Sequence, residues 1–243
     1  MHLSTKLLIA ILITFQACVG VDALVRPREG EAERAVLLHF GVARLATAQK
    51  LRTVQNNTII SPEFPKADLT FGPDFHYIGG QQVNLYGMAD AEQHLFVKES
   101  HNGVIDAFYW VQFEHRVPSD THTYNYPADH STDIGGLNFV YDAKSWPDYA
   151  VMQMEDPQSD GAAISRLAEK NNMKFPQRAA RVRMFHLPTS DRRTELMIIY
   201  GEVLPEDSAV PLRKEGVDLM KESSAYAQKL LENLKSQLTI RTK

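Results

Sequence analysis

Ile105-Asp-Ala-Phe-Tyr-Trp-Val-Gln-Phe-Glu-His-Arg-Val-Pro118 is the densest aromatic run in the chain. It is rich in Phe, Tyr, Trp and Val, holds no glycine and meets a proline only at its end, so it reads as a strand. Alternation puts Ala107, Tyr109, Val111, Phe113 and His115 on one face, and Phe108, Trp110, Gln112, Glu114 and Arg116 on the other. The first face is the more apolar and is assigned to the core. The second begins apolar and ends polar, which suits a strand covered by a helix over half its length. His115 is expected to close the buried row where the strand meets a polar loop, so this end is the first place to look for a site.

Upstream, Asn102-Gly103 favours positive φ and a hairpin, so residues 93 to 99 should pair antiparallel with 104 to 116. Before it, Asp68 to Glu99 reads as a β-meander with Gly79-Gly80 as a tight turn. Downstream, Pro118 to Asp133 is polar and irregular, and a structureless loop of that length more often serves function than filling. Gly135-Gly136 opens a strand from Leu137 to Tyr141, and Tyr149 to Met154 reads as another. Ser159 caps a short helix that runs to Asn171. Ala180 to Leu187 and Thr194 to Leu204 form a second hairpin, whose second arm is apolar on both faces and should sit centrally. Helical periodicity marks Gly30 to Gln55 and a long C-terminal helix from Ser208 to Leu238.

This order predicts an α+β fold in which a curled antiparallel β-sheet of about six to eight strands in hairpins packs against an N-terminal helix and a long C-terminal helix. A pocket is expected on its concave side.

The chain has 243 residues, 44% hydrophobic and 23% charged, with a net charge of −4, which suits one globular domain over residues 24–243. There is no basic footprint for nucleic acid. Residues 1–23 read as a signal peptide: Lys6 is the positive region, Leu7 to Phe15 the apolar core and Val21-Asp22-Ala23 the cleavage site. The apolar core falls short of the roughly 20 residues of a membrane span. Cleavage after Ala23 would remove Cys18, the only cysteine, and with it any disulfide or thiol nucleophile. Alternatively Phe15-Gln16-Ala17-Cys18 resembles the lipobox of bacterial lipoproteins. That resemblance implies a lipid anchor at Cys18. Both readings place the protein outside the cytoplasm, periplasmic, secreted or anchored.

Six of the nine histidines lie between residues 76 and 130. Imidazole is a common metal ligand, so His115, His122 and His130 are candidates for a divalent metal, although their spacing matches no known motif. Glu114 cannot form a dyad with His115, because neighbours on a strand point to opposite faces. A pairing of His115 with Asp120, Asp129 or Tyr124 across the loop is geometrically possible. His115, Asp120, His122, Tyr124, Tyr126 and Trp146 are the candidate ligand-binding set, since aromatics on a polar loop are frequent contact residues. Arg181 and Arg183 share a strand face and are either an anion grip or a solvated edge. No catalytic signature names a reaction, so whether the chain is an enzyme stays open and the catalytic residues are unknown. The expected function is a non-enzymatic, exported cell-envelope binding or interaction protein, with a small-molecule or protein partner. The alternative is a metal-dependent or His/acid hydrolase using the His-rich 115–130 region.

Overall fold

A computed structural model describes residues 51–99 and 102–243. The aromatic run is β6 (Ile105–Arg116), and it lies inside an antiparallel sheet of eight strands. Its neighbours are β5 (Ala89–Glu99) and β10 (Thr194–Val203), with β4 (His76–Leu85) beyond β5. Beyond β10 lie β9 (Ala179–His186), β8 (Leu137–Trp146) and β11 (Val217–Asp218), and β7 (Ser131–Ile134) pairs with β8. A second antiparallel sheet holds four short strands, β1 (Thr53–Gln55), β2 (Thr58–Ser61), β3 (Ala67–Phe71) and β12 (Leu238–Thr242). The helices are α1 (Tyr149–Met154), α2 (Asp160–Lys170), α3 (Leu219–Glu222) and α4 (Ser224–Gln237). Residues from Leu51 to Lys243 form one compact unit.

The two faces of β6 feed two separate cores. Tyr109, Val111 and Phe113 pack with Ile59, Leu69 and Ile240 of the small sheet and with Leu230 and Leu234 of α4. The Tyr109 hydroxyl donates to the Leu234 carbonyl at 2.7 Å, tying α4 to the central strand. Phe108 and Trp110 pack with Ile164 and Leu167 of α2, Tyr149 of α1 and Phe175. Such burial is favourable by about 25 cal/mol per Å² of apolar surface, which is why a strand apolar on both sides takes the centre. Gly201 on β10 leaves the space that Phe108 fills, since a Cβ there would stand 2.3 Å from its ring.

The described residues are mostly β, and among them neither of the expected flanking helices is seen as a continuous helix. Of the predicted N-terminal helix, residues 30–50 lie outside the described residues, as does the predicted signal segment. Its end, Thr53–Gln55, is a strand. Asn56 and Asn57, both at positive φ, turn it into β2. The predicted helix from Ser208 to Leu238 is broken repeatedly, and Ser223 at φ −156 keeps α3 apart from α4. Pro211 lacks a donor, Gly216 turns at φ 84 beneath Trp146, and Leu238–Thr242 becomes a strand with Leu238 and Ile240 buried at period two.

Two smaller expectations also change. Tyr149–Met154 is a helix, not a strand. Gly79 and Gly80 lie inside β4, paired with Leu95 and His94 just after a bulge at Ile78, and the turn to β5 lies at Tyr86 and Gly87. Gly80 is required by what packs on it: a Cβ would meet the Tyr77 hydroxyl at 2.6 Å and His94 Nδ1 at 2.8 Å. Those two groups belong to a buried polar chain in which His94 Nδ1 lies 3.0 Å from the Tyr77 hydroxyl and His94 Nε2 2.7 Å from Glu92. Arg52 pairs with Glu92 at 2.6 Å. The Asn102-Gly103 hairpin, the Ser159 cap of α2 and the central place of β10 agree with the sequence reading.

Candidate functional site

The second face of β6 turns polar after Trp110, and α2 ends its cover at the same level. Gln112, Glu114 and Arg116 therefore emerge beside the first turn of α2, where a cleft of about 310 Å³ opens. Its walls come from the β4–β5 turn (Tyr86, Met88), β6, the loop after β6 (Tyr124, Tyr126), β9 (Arg183, Phe185), β10 (Glu195, Met197) and α2 (Ser159, Asp160).

Antiparallel register places Glu195 directly opposite Glu114. Same-face residues opposed in this way have Cβ atoms about 4.5–5.5 Å apart, so two carboxyl groups share one end of the cleft. Tyr124 donates to Glu114 Oε1 at 2.5 Å and Gln112 Nε2 donates to Glu114 Oε2 at 2.7 Å. Tyr126 donates to Glu195 Oε2. The Tyr126 ring stacks on Phe185 at 3.8 Å and runs parallel to Tyr124 at 6.5 Å. Irregular backbone after β6 is what lets the loop cross back over β9 and β10. Arg192 fixes it there, its Nε donating to the Tyr124 carbonyl at 2.8 Å.

Burial pushes Glu195 from the ordinary glutamate value of 4.5 up to about 8; its Tyr126 bond opposes the rise and the charge of Glu114 adds to it. Burial also raises Glu114, against the bonds from Tyr124 and Gln112. Both tyrosines are raised, by burial first and then by the glutamate each one faces. The folded chain thus binds more protons at Glu195 than the unfolded chain between pH 4.5 and about 8. The stability this contributes is fully present below the lower value and is lost as pH rises through the upper one. Glu195→Gln keeps the neutral shape, so it should flatten the fall in urea-unfolding free energy across that window; an unchanged slope would contradict the assignment.

The cationic groups of the cleft are already engaged. Arg116 pairs with Asp120 at 3.0 Å and lies 4.6 Å over the Tyr124 ring. Arg183 pairs with Asp142 at 2.7 Å and lies 4.7 Å over Phe185. With both arginines paired, Glu114 and Asp160 are the acidic groups in the wall without an arginine of their own, and Glu195 adds a carboxyl group beside Glu114.

The chain has no match among family models, curated proteins or solved structures.

The residues singled out from sequence scatter around this cleft. Tyr124 and Tyr126 line it. Asp120 sits behind Arg116, and His122, which is exposed, lies 2.6 Å from it. That hydrogen bond, ahead of Arg116, holds the Asp120 carboxyl below the usual range. His115 does not close the buried row: its side chain is exposed on the opposite face of β6, 3.9 Å from Asp90. Trp146 is buried in the second core with Arg181 4.9 Å over its ring, and it is not among the lining residues. His130 rests near Tyr141, with ring centroids 5.8 Å apart. The structure does not bring His115, His122 and His130 together, and among the described residues no group of three or more His, Cys, Asp or Glu is placed to hold a metal ion. Nor is any described helix long and apolar enough to cross a membrane.

Sequence reasoning missed Glu195, Gln112 and the role of Glu114. The signal was present: a central strand, apolar on both faces, carries a charge at Glu195, and a buried charge in such a strand needs partners.

Proposed function

We propose that the chain is an exported binding protein of the cell envelope and that it holds a small organic cation with an apolar portion in the Glu114–Glu195 cleft. The observation that carries this reading is the facing of two carboxyl groups into an aromatic-walled cleft whose arginines are occupied by Asp120 and Asp142. Ligand pockets combine apolar walls with a few convergent polar groups, and this one offers Phe185, Tyr124, Met88 and Met197 beside the glutamates. Desolvated carboxyl groups favour an ammonium group that restores their charge balance. Tyr86 and Met88 at the mouth are large and exposed, as contact residues before a ligand covers them. Export rests on the leader-like residues 1–23, with a mature start at Leu24 or at a lipidated Cys18.

The test compares phenethylamine with phenethyl alcohol near neutral pH, reading the thermal unfolding midpoint. The amine is expected to raise it and the alcohol to leave it in place. Equal shifts would remove the cation, and no shift from either would remove the cleft as an aromatic-cation site.

A second reading has its own observation. A glutamate kept protonated beside a charged one is the arrangement that general acid–base chemistry uses. Under it the hydrolase expectation moves from the histidines to Glu114 and Glu195. Hydrolysis abolished by both Glu114→Gln and Glu195→Gln would favour this reading.

A further inference from the structure

We propose that Gln81, Gln93 and Gln112 form a one-way amide relay through which α2 assigns the negative charge of the glutamate pair to Glu114 and leaves the shared proton on Glu195. The inference rests on the cleft being the working site and adds which of its two acids is the anion. No single atom carries it; the direction of a chain of hydrogen bonds does.

Two helix carbonyls fix that direction. A backbone carbonyl only accepts, so the amide nitrogen of a glutamine must face it. Gln81 Nε2 donates to the Ala163 carbonyl and to Gln93 Oε1, both at 2.8 Å. Gln93 Nε2 donates to the Asp160 carbonyl at 3.1 Å and to Gln112 Oε1 at 2.8 Å. Because Gln112 Oε1 must accept, its Nε2 is the end left to face Glu114 Oε2, which it does at 2.7 Å. The orientation of an amide is ordinarily ambiguous, and here the helix removes the ambiguity. Gln93 and Gln112 are both buried, so turning either amide would set donor against donor with no water to relieve it.

Glu114 therefore meets an obligatory donor at one oxygen and the Tyr124 hydroxyl at the other. Glu195 receives Tyr126 at Oε2, and among the described residues no hydrogen bond reaches its Oε1. Two like charges at this spacing do not both form readily, and the partner with more donors keeps the charge. The other groups facing the pair are Arg116 from β6, Arg183 from β9 and Asp160 from α2. Each arginine has its own aspartate, so neither overrides the relay. The side chains beside the pair on β5 and β4, Ala91 and Val83, do not titrate. A ligand consequently meets a charged acceptor at Glu114 and a neutral O–H donor at Glu195. An amine with a hydroxyl or carbonyl oxygen on a nearby carbon satisfies both.

The test is carbon NMR titration of the glutamate side-chain carboxyl groups in the full chain, with assignments from Glu114→Gln and Glu195→Gln. Glu114 should titrate below Glu195. Gln112→Met removes the donor and should raise the proton affinity of Glu114 roughly ten- to a hundredfold, as expected for a hydrogen bond to a charged group. Gln93→Met leaves every cleft-lining side chain in place and frees the Gln112 amide to turn, so it should raise Glu114 in the same direction by less. A role in packing alone would alter stability and leave these titrations where they are. Glu195 titrating first in the wild type, or both titrations unmoved in the two variants, would overturn the inference. If the order holds while phenethylamine fails to bind, the binding reading falls and the relay stands; if phenethylamine binds with the order reversed, only the relay falls.

Discussion

Glu114→Gln is expected to weaken binding of a small organic cation by roughly ten- to a hundredfold, the worth of a hydrogen bond to a charged group. The substitution keeps the shape of the side chain and removes the one acid with a donor at each oxygen. It also puts an amide N–H against one of those donors, so the cleft loses its charge and part of its order together. Because the group is half-buried at the end of a central strand, bulk water replaces the missing charge only in part. Calorimetric titration with phenethylamine checks it, with Glu195→Gln as the comparison. Glu195 already holds its proton at neutral pH, so its replacement should weaken the same ligand less. Equal losses from the two variants would mean that the charge is not localised as described.

Gly135→Ala should be the most damaging small substitution in the β7–β8 turn, with an expected loss of about 2–5 kcal/mol. Gly135 sits at φ +61, which costs an alanine about 1–2 kcal/mol. The added Cβ would stand 2.2 Å from the Ile240 carbonyl oxygen, and overpacking of that kind costs typically about 1–3 kcal/mol more. Backbone cannot rotate away as a side chain can, so β12 or the turn must move. Gly87→Ala is the matched control: φ is +71 and nothing lies within 4 Å of the new Cβ. Urea unfolding should therefore show the Gly87 variant losing only the backbone share. Equal losses at the two positions would mean that the close approach of Ile240 does not hold.

Much of the large sheet was legible because β6, β9 and β10 announce themselves through composition that only a pleated, two-sided core accommodates. Asn102-Gly103 and Ser159 were legible because their chemistry is local. The small sheet was not. β1, β2 and β12 are three to five residues long, and their pairing depends on partners far away in sequence: β12 meets β3 only after most of the chain has intervened. Periodicity over Ser208 to Leu238 caught the true helix α4 and carried it through Pro211 and Gly216, where the chain turns instead.

The site shows the same limit. Tyr124 and Tyr126 could be read from their polar setting, since a stranded aromatic on a loop needs something to rest on. Glu114 was rightly separated from His115 by strand alternation, but its partner Glu195 becomes its neighbour only through the β6–β10 register. His115, chosen for its place at a strand end, faces solvent because Phe113 is the last residue of its row that the small-sheet side buries. The relay from Gln81 to Gln112 crosses three strands and a helix, so no window of sequence displays it.

The most direct test of the cleft as a cation site is the mass of the protein isolated from the cells that make it, taken under native and then denaturing conditions. A native mass excess of small-organic size is expected, released when the sample is acidified below 4.5, where the ordinary glutamate is protonated, and missing from Glu114→Gln. No excess in the wild type, or an excess that Glu114→Gln retains unchanged, would contradict it.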